Sequence, residues 1–236
     1  ERSGGYQVDQ QARMNMRLVP QYGGTVAGIR KSALDEVGGW REDTLAEDTD
    51  LTFRLLLKGW KTVYQNRAEC YEEVPERWPV RVRQIMRWAK GHNQAMRRYA
   101  TSLPQRGSLS VWERIDGLLL LGVYAMAPVL LLGWVLALVL FYTGAPIGGG
   151  VAVLGLAAFT TLGNFAAFFE IAAATRLDGS RLRIRLLPLT FLGFAVSVIS
   201  VSRAAWQQML EPLQRKEMVW DKTERSRVAP ATARTA

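Results

Sequence analysis

Residues 115–201 are almost free of acids, while charge crowds into the segment before them and the tail behind them. That split constrains the fold more than any other feature, because the two parts ask for different solvents. The mean hydropathy of −0.01 hides the division, since the parts cancel. Residues 115–142 contain Asp116 but are otherwise apolar and long enough to cross a bilayer, and Pro128 is placed to kink them. Residues 144–150 carry no charge and read as an outer turn. Residues 151–175 read as a second span holding Asn164 and Glu170, both costly against lipid. Glu170 either reaches headgroup water at the span's end or joins Asn164 in lining a polar path. Arg176, Arg181, Arg183 and Arg185 mark a cytoplasmic loop. Residues 186–201 form a third apolar run, with Pro188 near its start. The tail from Arg203 is basic again, which favours the cytoplasm. Three crossings would place it outside, whereas a third run that re-enters would not. The reading adopted is about three spans, with a disordered composition over 228–236.

The formal charge is +9 over 236 residues. No nucleic-acid motif accompanies it, and the basic clusters flank apolar runs, so the excess is assigned to membrane orientation rather than to nucleic acid. Cys70 is the only cysteine, which excludes an internal disulfide and a cysteine-based metal site. His92 is the only histidine and reads as a polar helix residue without an evident partner. The chain opens at Glu1 with neither a start methionine nor a signal peptide, and it reads as a piece of a longer protein.

Just before the apolar half lies a basic segment, 79–99. Read as a helix, it puts Gln84, Arg87, Trp88 and Gly91 on one face, at i, i+3, i+4 and i+7. Val82, Ile85, Met86 and Ala89 repeat the spacing on an adjacent apolar face. A guanidinium grips a diphosphate through paired hydrogen bonds, and an indole offers a flat surface to a sugar or a base. Gly91 leaves room for something to approach. The plain alternative is a membrane-surface helix with a Trp anchor and snorkelling Arg.

Upstream, residues 1–15 read as loop running into a short helix. Strands are expected at 18–21 and 25–29, around Gly23-Gly24, where glycines permit unusual backbone and close approach. A helix over 31–37, with Ser32 as a possible cap, stops at Gly38-Gly39. Trp40 follows, either as core or facing a substrate. Asp43, Glu47, Asp48 and Asp50 then lie within eight residues, ahead of the apolar run 51–57. Acids at a helix N-terminus suit the macrodipole. Yet Glu47 and Asp48 begin the helix, where a carboxylate can project into a cleft and accept a proton. Asp48 and Asp50 also have Asp-x-Asp spacing, although a helical start sends those side chains apart. Gly59 ends this helix, and short strands are expected at 61–65 and 69–71.

Taken in order, Tyr22-Gly23-Gly24-Thr25, Gly38-Gly39-Trp40, Ala46-Glu47-Asp48, Tyr71-Glu72-Glu73-Val74-Pro75, Gln84-x-x-Arg87-Trp88 and then apolar spans resemble the C-terminal portion of processive, membrane-embedded family 2 glycosyltransferases, such as cellulose, hyaluronan and poly-N-acetylglucosamine synthases. The tail Trp220 to Arg225 also resembles a motif of bacterial members. The likeness implies an α/β fold plus transmembrane helices. That means part of a GT-A-type domain over 1–76, an interfacial helix region over 77–112, membrane spans over 113–206 and a basic tail over 207–236.

The resemblance implies roles as well. Asp48 becomes the general base on an acceptor hydroxyl, with Glu47 beside it. Ala46 stands where the family often has Thr. Arg87 binds the donor's diphosphate, Trp88 faces the acceptor sugar and Gln84 helps position it. Gly23, Gly24 and Thr25 lie near the acceptor terminus, and Trp40 joins the substrate-facing set. The donor is expected to be a UDP-sugar and the acceptor a polysaccharide or a lipid, with inversion at the sugar. The bilayer and accessory export subunits are further expected partners, and the location is a cell membrane with the catalytic part cytoplasmic. Asn164 and Glu170 gain a meaning as a path for the sugar chain. The uridine-binding Asp and the Asp-x-Asp for Mg²⁺ or Mn²⁺ have no match in this sequence, so no metal ligands are assigned to it. A non-processive transferase acting on a membrane lipid, and a non-catalytic scaffold or transporter subunit, remain the alternatives.

Overall fold

The computed structural model describes residues 4–24, 26–68, 70, 72–144, 166–179 and 181–214. A π-helical turn, Gly4–Gln10, runs into α1, Gln11–Asn15. Then come α2 (Lys31–Glu36), α3 (Glu47–Lys58), α4 (Trp78–Tyr99), α5 (Ser102–Gln105), α6 (Val111–Gly122), α7 (Met126–Thr143) and α8 (166–177). A 3₁₀ segment, Arg181–Leu189, leads into α9, Thr190–Gln214.

Glycine punctuates the first helices as the sequence predicts. Gly38 and Gly39 beyond α2 and Gly59 beyond α3 all take positive φ, a region that side chains resist. Ser32 does not cap α2: Arg30 holds the cap position, without a side-chain bond.

The expected strands are not seen. Among the described residues none is in a strand, and 69 and 71 lie outside them. The backbone of 18–22 finds side chains instead of a ladder. The Val19 N–H donates to Asp116 Oδ2 (2.9 Å), Gln21 N–H to Gln10 Oε1 (2.7 Å) and Tyr22 N–H to Thr52 Oγ1 (2.9 Å). A backbone donor satisfied this way has no need of a neighbouring strand.

Helix α3 is the hub of the N-terminal layer. Its apolar side, Leu51 and Leu55, packs on Tyr22 and Ala33, while Phe53 and Leu56 join Val19, Ala95, Tyr99, Leu103, Leu120 and Leu121. Helix α6 therefore belongs partly to this core. Its acids face the same way: Asp116 pairs with Arg13, and Glu113 pairs with Lys61 and closes a capping box with Ser110. Asp116 is thus bonded to Arg13 and the Val19 N–H rather than left without partners in an apolar run. The chain then bends by 62° between α6 and α7. The break falls at 123–125, just ahead of Pro128. Proline lacks the N–H that would bond four residues back, and its ring crowds that carbonyl.

Beyond the bend, α7 exposes Val129, Leu132, Val135, Leu136, Leu138 and Val139, and α9 exposes Phe191, Leu192 and Ile199. Among the described residues one helical stretch, Ile184–Glu211, is long and apolar enough to cross a membrane, and the bent α6–α7 pair passes the same test jointly. The first part of the expected second span, 151–165 with Asn164, lies outside the described residues, so about three spans is not what these residues display. Glu170 sits at a cavity of about 240 Å³ between α8 and α9, beside Phe168, Phe191 and Phe194.

Candidate active site

The acid segment and the basic helix meet. Helix α4 presents Arg87, Gly91, Gln94 and Arg98 along one face, at i, i+4, i+7 and i+11. All four grip residues 43–50. Arg87 Nη1 donates to the Leu45 carbonyl (3.4 Å), and the Leu45 N–H donates to Gln94 Oε1 (3.0 Å). Arg98 Nη2 donates to the Asp43 carbonyl (3.0 Å) and carboxylate (2.8 Å). At Gly91 the contact is backbone on backbone. A Cβ there would stand 2.4 Å from Ala46 Cβ and 2.6 Å from Ala46 N. The space that Gly91 leaves is therefore filled by this chain's own loop, not held open for a ligand.

That loop delivers Glu47 and Asp48 to the first turn of α3, both half-buried. Asp48 Oδ1 accepts from the Thr49 N–H (2.7 Å). Oδ2 faces Gly24, where a Cβ would come within 3.2 Å. Gly23 lies likewise against the Tyr6 ring. Neither glycine is among those with positive φ, so both serve close approach rather than unusual backbone. Thr52 Oγ1 donates to the Asp48 carbonyl while accepting from Tyr22 N–H, which ties the glycine pair to the start of α3. Thr25 lies outside the described residues.

Asp50 turns the opposite way. It is fully buried and bound by Arg54 (2.7 Å), Tyr99 Oη (2.6 Å) and Arg98 (3.3 Å). Burial, with the Asp50 bond adding, pushes the Tyr99 phenol up to about 12, so it stays a donor. Arg54 also bonds the Val37 and Gly39 carbonyls, fixing the turn that carries Trp40. At the outer edge, hydrogen bonding to Arg41 and the Arg98 charge hold Asp43 at about 2. The Asp-x-Asp spacing is thus spent on two separate jobs. No cluster of three His, Cys, Asp or Glu side chains able to hold a metal occurs among the described residues. Among the described residues, the Asp48–Asp50 pair therefore does not fit a divalent cation.

Two tyrosines, Tyr22 and Tyr124, feel the Asp48 charge. Tyr22 is raised from its usual value by burial and then by the Asp48 charge. Its ring meets Trp40 at 5.7 Å, and Trp40 is 46% exposed, so Trp40 is not core. On the other side the Tyr124 ring lies within electrostatic reach of both Asp48 and Arg81. Arg81 in turn donates to Gln84 Oε1 (2.9 Å) and stands over the Trp88 ring at 5.6 Å. One face of the indole is therefore occupied by a guanidinium, and buried Gln84 holds that guanidinium in place.

His92 was hidden from sequence reasoning. It is buried, its Nε2 lies 3.1 Å from Thr49 Oγ1, and its ring meets Tyr124 edge-on at 4.8 Å. Its partner is 43 positions away in the chain, so no local pattern announces it.

Comparison with known proteins gives the chain's relatives. The family model described as "Glycosyl transferase family group 2" matches residues 4–172. A "Probable glucomannan 4-beta-mannosyltransferase 4" of Oryza sativa subsp. japonica is 32% identical over 110 residues, 47% of this chain and 20% of that protein. "Glucomannan 4-beta-mannosyltransferase 1" of the same plant is 30% identical over 110 residues, 47% of this chain and 21% of the relative. "Probable glucomannan 4-beta-mannosyltransferase 3" of Arabidopsis thaliana is 31% identical over 108 residues, 46% and 19% respectively. The chain spans about a fifth of the length of these curated relatives.

Proposed function

Because the chain belongs to glycosyl transferase family group 2, we propose that it carries the acceptor-side part of an inverting transferase that moves a sugar from a nucleoside-diphosphate donor to a growing polysaccharide at a membrane. The acceptor hydroxyl oxygen bonds to the anomeric carbon as the carbon–diphosphate bond breaks. The hydroxyl proton passes to Asp48, and the leaving diphosphate keeps the bond's electron pair. Arg87 meets the charge that builds on the diphosphate, and Glu47 lies beside the base. Trp40 with Tyr22, and Trp88 backed by Arg81 and Gln84, supply aromatic surfaces for the acceptor. Gly23 and Gly24 form the floor beneath its terminal sugar, and the family resemblance assigns Thr25 to the same acceptor segment. The names of the relatives make mannosyl transfer to a 4-hydroxyl the first donor and linkage to test, ahead of UDP-sugars.

The observation that carries this reading is Arg87 bonded to the Leu45 carbonyl, three residues ahead of Asp48. That bond sets the helix bearing Arg87 against the loop that leads to Asp48, which supports assigning base and cation to one site. A Mg²⁺ or Mn²⁺ ion on the donor belongs to the proposal only through ligands outside residues 1–236, and no step assigned to this chain passes through it. Residence in a cell membrane with the site on its cytoplasmic face, and accessory export subunits, complete the proposal. The exposed apolar faces of α7 and α9 support the membrane part.

The test is transfer by the full-length protein in membranes, using labelled GDP-mannose and UDP-sugars. Asp48→Asn is expected to lower turnover by about 10²–10⁴-fold while donor binding stays level. Equal rates would remove Asp48 as the base. Product length separates long polymers from single transfers to lipid, and one- or two-sugar lipid products would defeat processivity.

A further inference from the structure

The Thr49 hydroxyl stands between two claimants for its single proton. Its oxygen accepts from Gln21 Nε2 at 2.7 Å. Its proton can go to Asp48 Oδ1, 3.4 Å away, or to His92 Nε2, 3.1 Å away. His92 is buried beside Tyr124, and Nδ1 makes no hydrogen bond of regular geometry. With the ring proton on Nδ1, Nε2 is an acceptor, and it is the nearer of the two claimants. We propose that His92 is a positioning residue for sugar transfer: it draws the Thr49 hydroxyl proton towards itself and so keeps that hydroxyl from donating to Asp48.

The consequence falls on the carboxylate. Oδ1 is left with the Thr49 N–H as its donor, and Oδ2 faces the Gly24 side, where an acceptor hydroxyl would arrive. Each extra donor to a carboxylate favours its charged form and weakens it as a proton acceptor. His92 and Thr49 never touch the substrate in this arrangement. They set the hydrogen bonds of the group that does. The inference rests on Asp48 being the base.

The experiment compares kcat and donor KM for the full-length protein in four forms: wild type, His92→Phe, Thr49→Val and the double variant. His92→Phe and Thr49→Val are each expected to lose roughly 3- to 10-fold in kcat, the scale of one hydrogen bond, with KM unchanged. The double variant should be no worse than either single variant, because both break one contact. His92→Gln, which keeps an acceptor, is expected to restore kcat to within about 2-fold. A wild-type kcat in His92→Phe, or losses that multiply in the double variant, would overturn the proposal. If His92→Phe does not accumulate, Thr49→Val against Thr49→Ser reads the same contact, and equal kcat in those two overturns it. Asp48→Asn run alongside separates the outcomes. If it retains full activity the catalytic reading fails. If it is inactive while His92→Phe and Thr49→Val are normal, only the role of His92 fails.

Discussion

Burial places His92 in an acid-labile position. Removing the ring from water lowers its pKa from 6.5 to about 4. Between those values the unfolded chain binds a proton that the folded chain refuses. Stability is therefore complete above about pH 6.5 and falls as the pH drops towards 4. His92→Gln removes that group. Apparent melting midpoints of wild type and variant, measured in detergent from pH 7 to 4, should diverge on the acid side, with wild type losing up to about 3 kcal/mol more. Parallel curves would show that the buried ring stays neutral in both states or titrates normally in the fold. Comparison with the variant cancels the nearby Asp48 carboxylate, which both proteins share.

At the scale of elements, α4 is a clamp with two working faces. One holds residues 43–50, and the other docks on α9. There Ile85 and Ala89 pack on Val201 and Ala204, Asn93 Nδ2 donates to Gln208 Oε1 (2.8 Å), and Lys90 pairs with Glu211 (2.7 Å). Its amphipathic spacing was readable because helix periodicity is local, as were the glycine stops of α2 and α3. What the apolar face would touch was not readable, and a bilayer surface was as good a reading as another helix. The strands failed for the same reason. An extended run becomes a strand only when an edge is there to pair with, and 18–22 found Asp116, Gln10 and Thr52 instead. Gly91 is where the clamp is tightest. Gly91→Ala forces Leu45–Ala46 backbone to shift, and overpacking of this kind costs about 1–3 kcal/mol. The variant should lose at least about tenfold in turnover as Asp48 moves with its loop. Gly107→Ala, where an added Cβ meets nothing within 4 Å, is the control expected to change neither stability nor rate. Normal turnover in Gly91→Ala would mean that the loop tolerates displacement and that α4 does not position the base.

At the scale of the whole molecule, the fold bears on which side of a membrane α9 begins and ends. Charge counting left this open: three apolar runs imply three crossings, yet the basic tail favours the side it started from. Contacts between distant residues supply what composition lacks. Asp178, just past α8, accepts a hydrogen bond from Gln7 in the N-terminal turn (2.5 Å). At the other end of the run, Gln208 and Glu211 are bonded to α4. The N-terminal turn and α4 belong to one layer, joined through Gln10, Gln21, Thr49 and His92. Both ends of 178–211 are therefore tied to the same layer, and Phe168 against Phe191 packs the start of α9 on α8. With that layer on one face of a bilayer, the expected path of the run is to dip in and return. In a full-length background from which Cys70 and every cysteine outside residues 1–236 have been removed, one cysteine is then placed at Asp178 or at Glu211. A membrane-impermeant maleimide should label both from the cytoplasmic face of sealed vesicles and neither from the opposite face. Labelling of the two positions from opposite faces would mean that α9 crosses, and that its bonds to α4 do not form in the membrane.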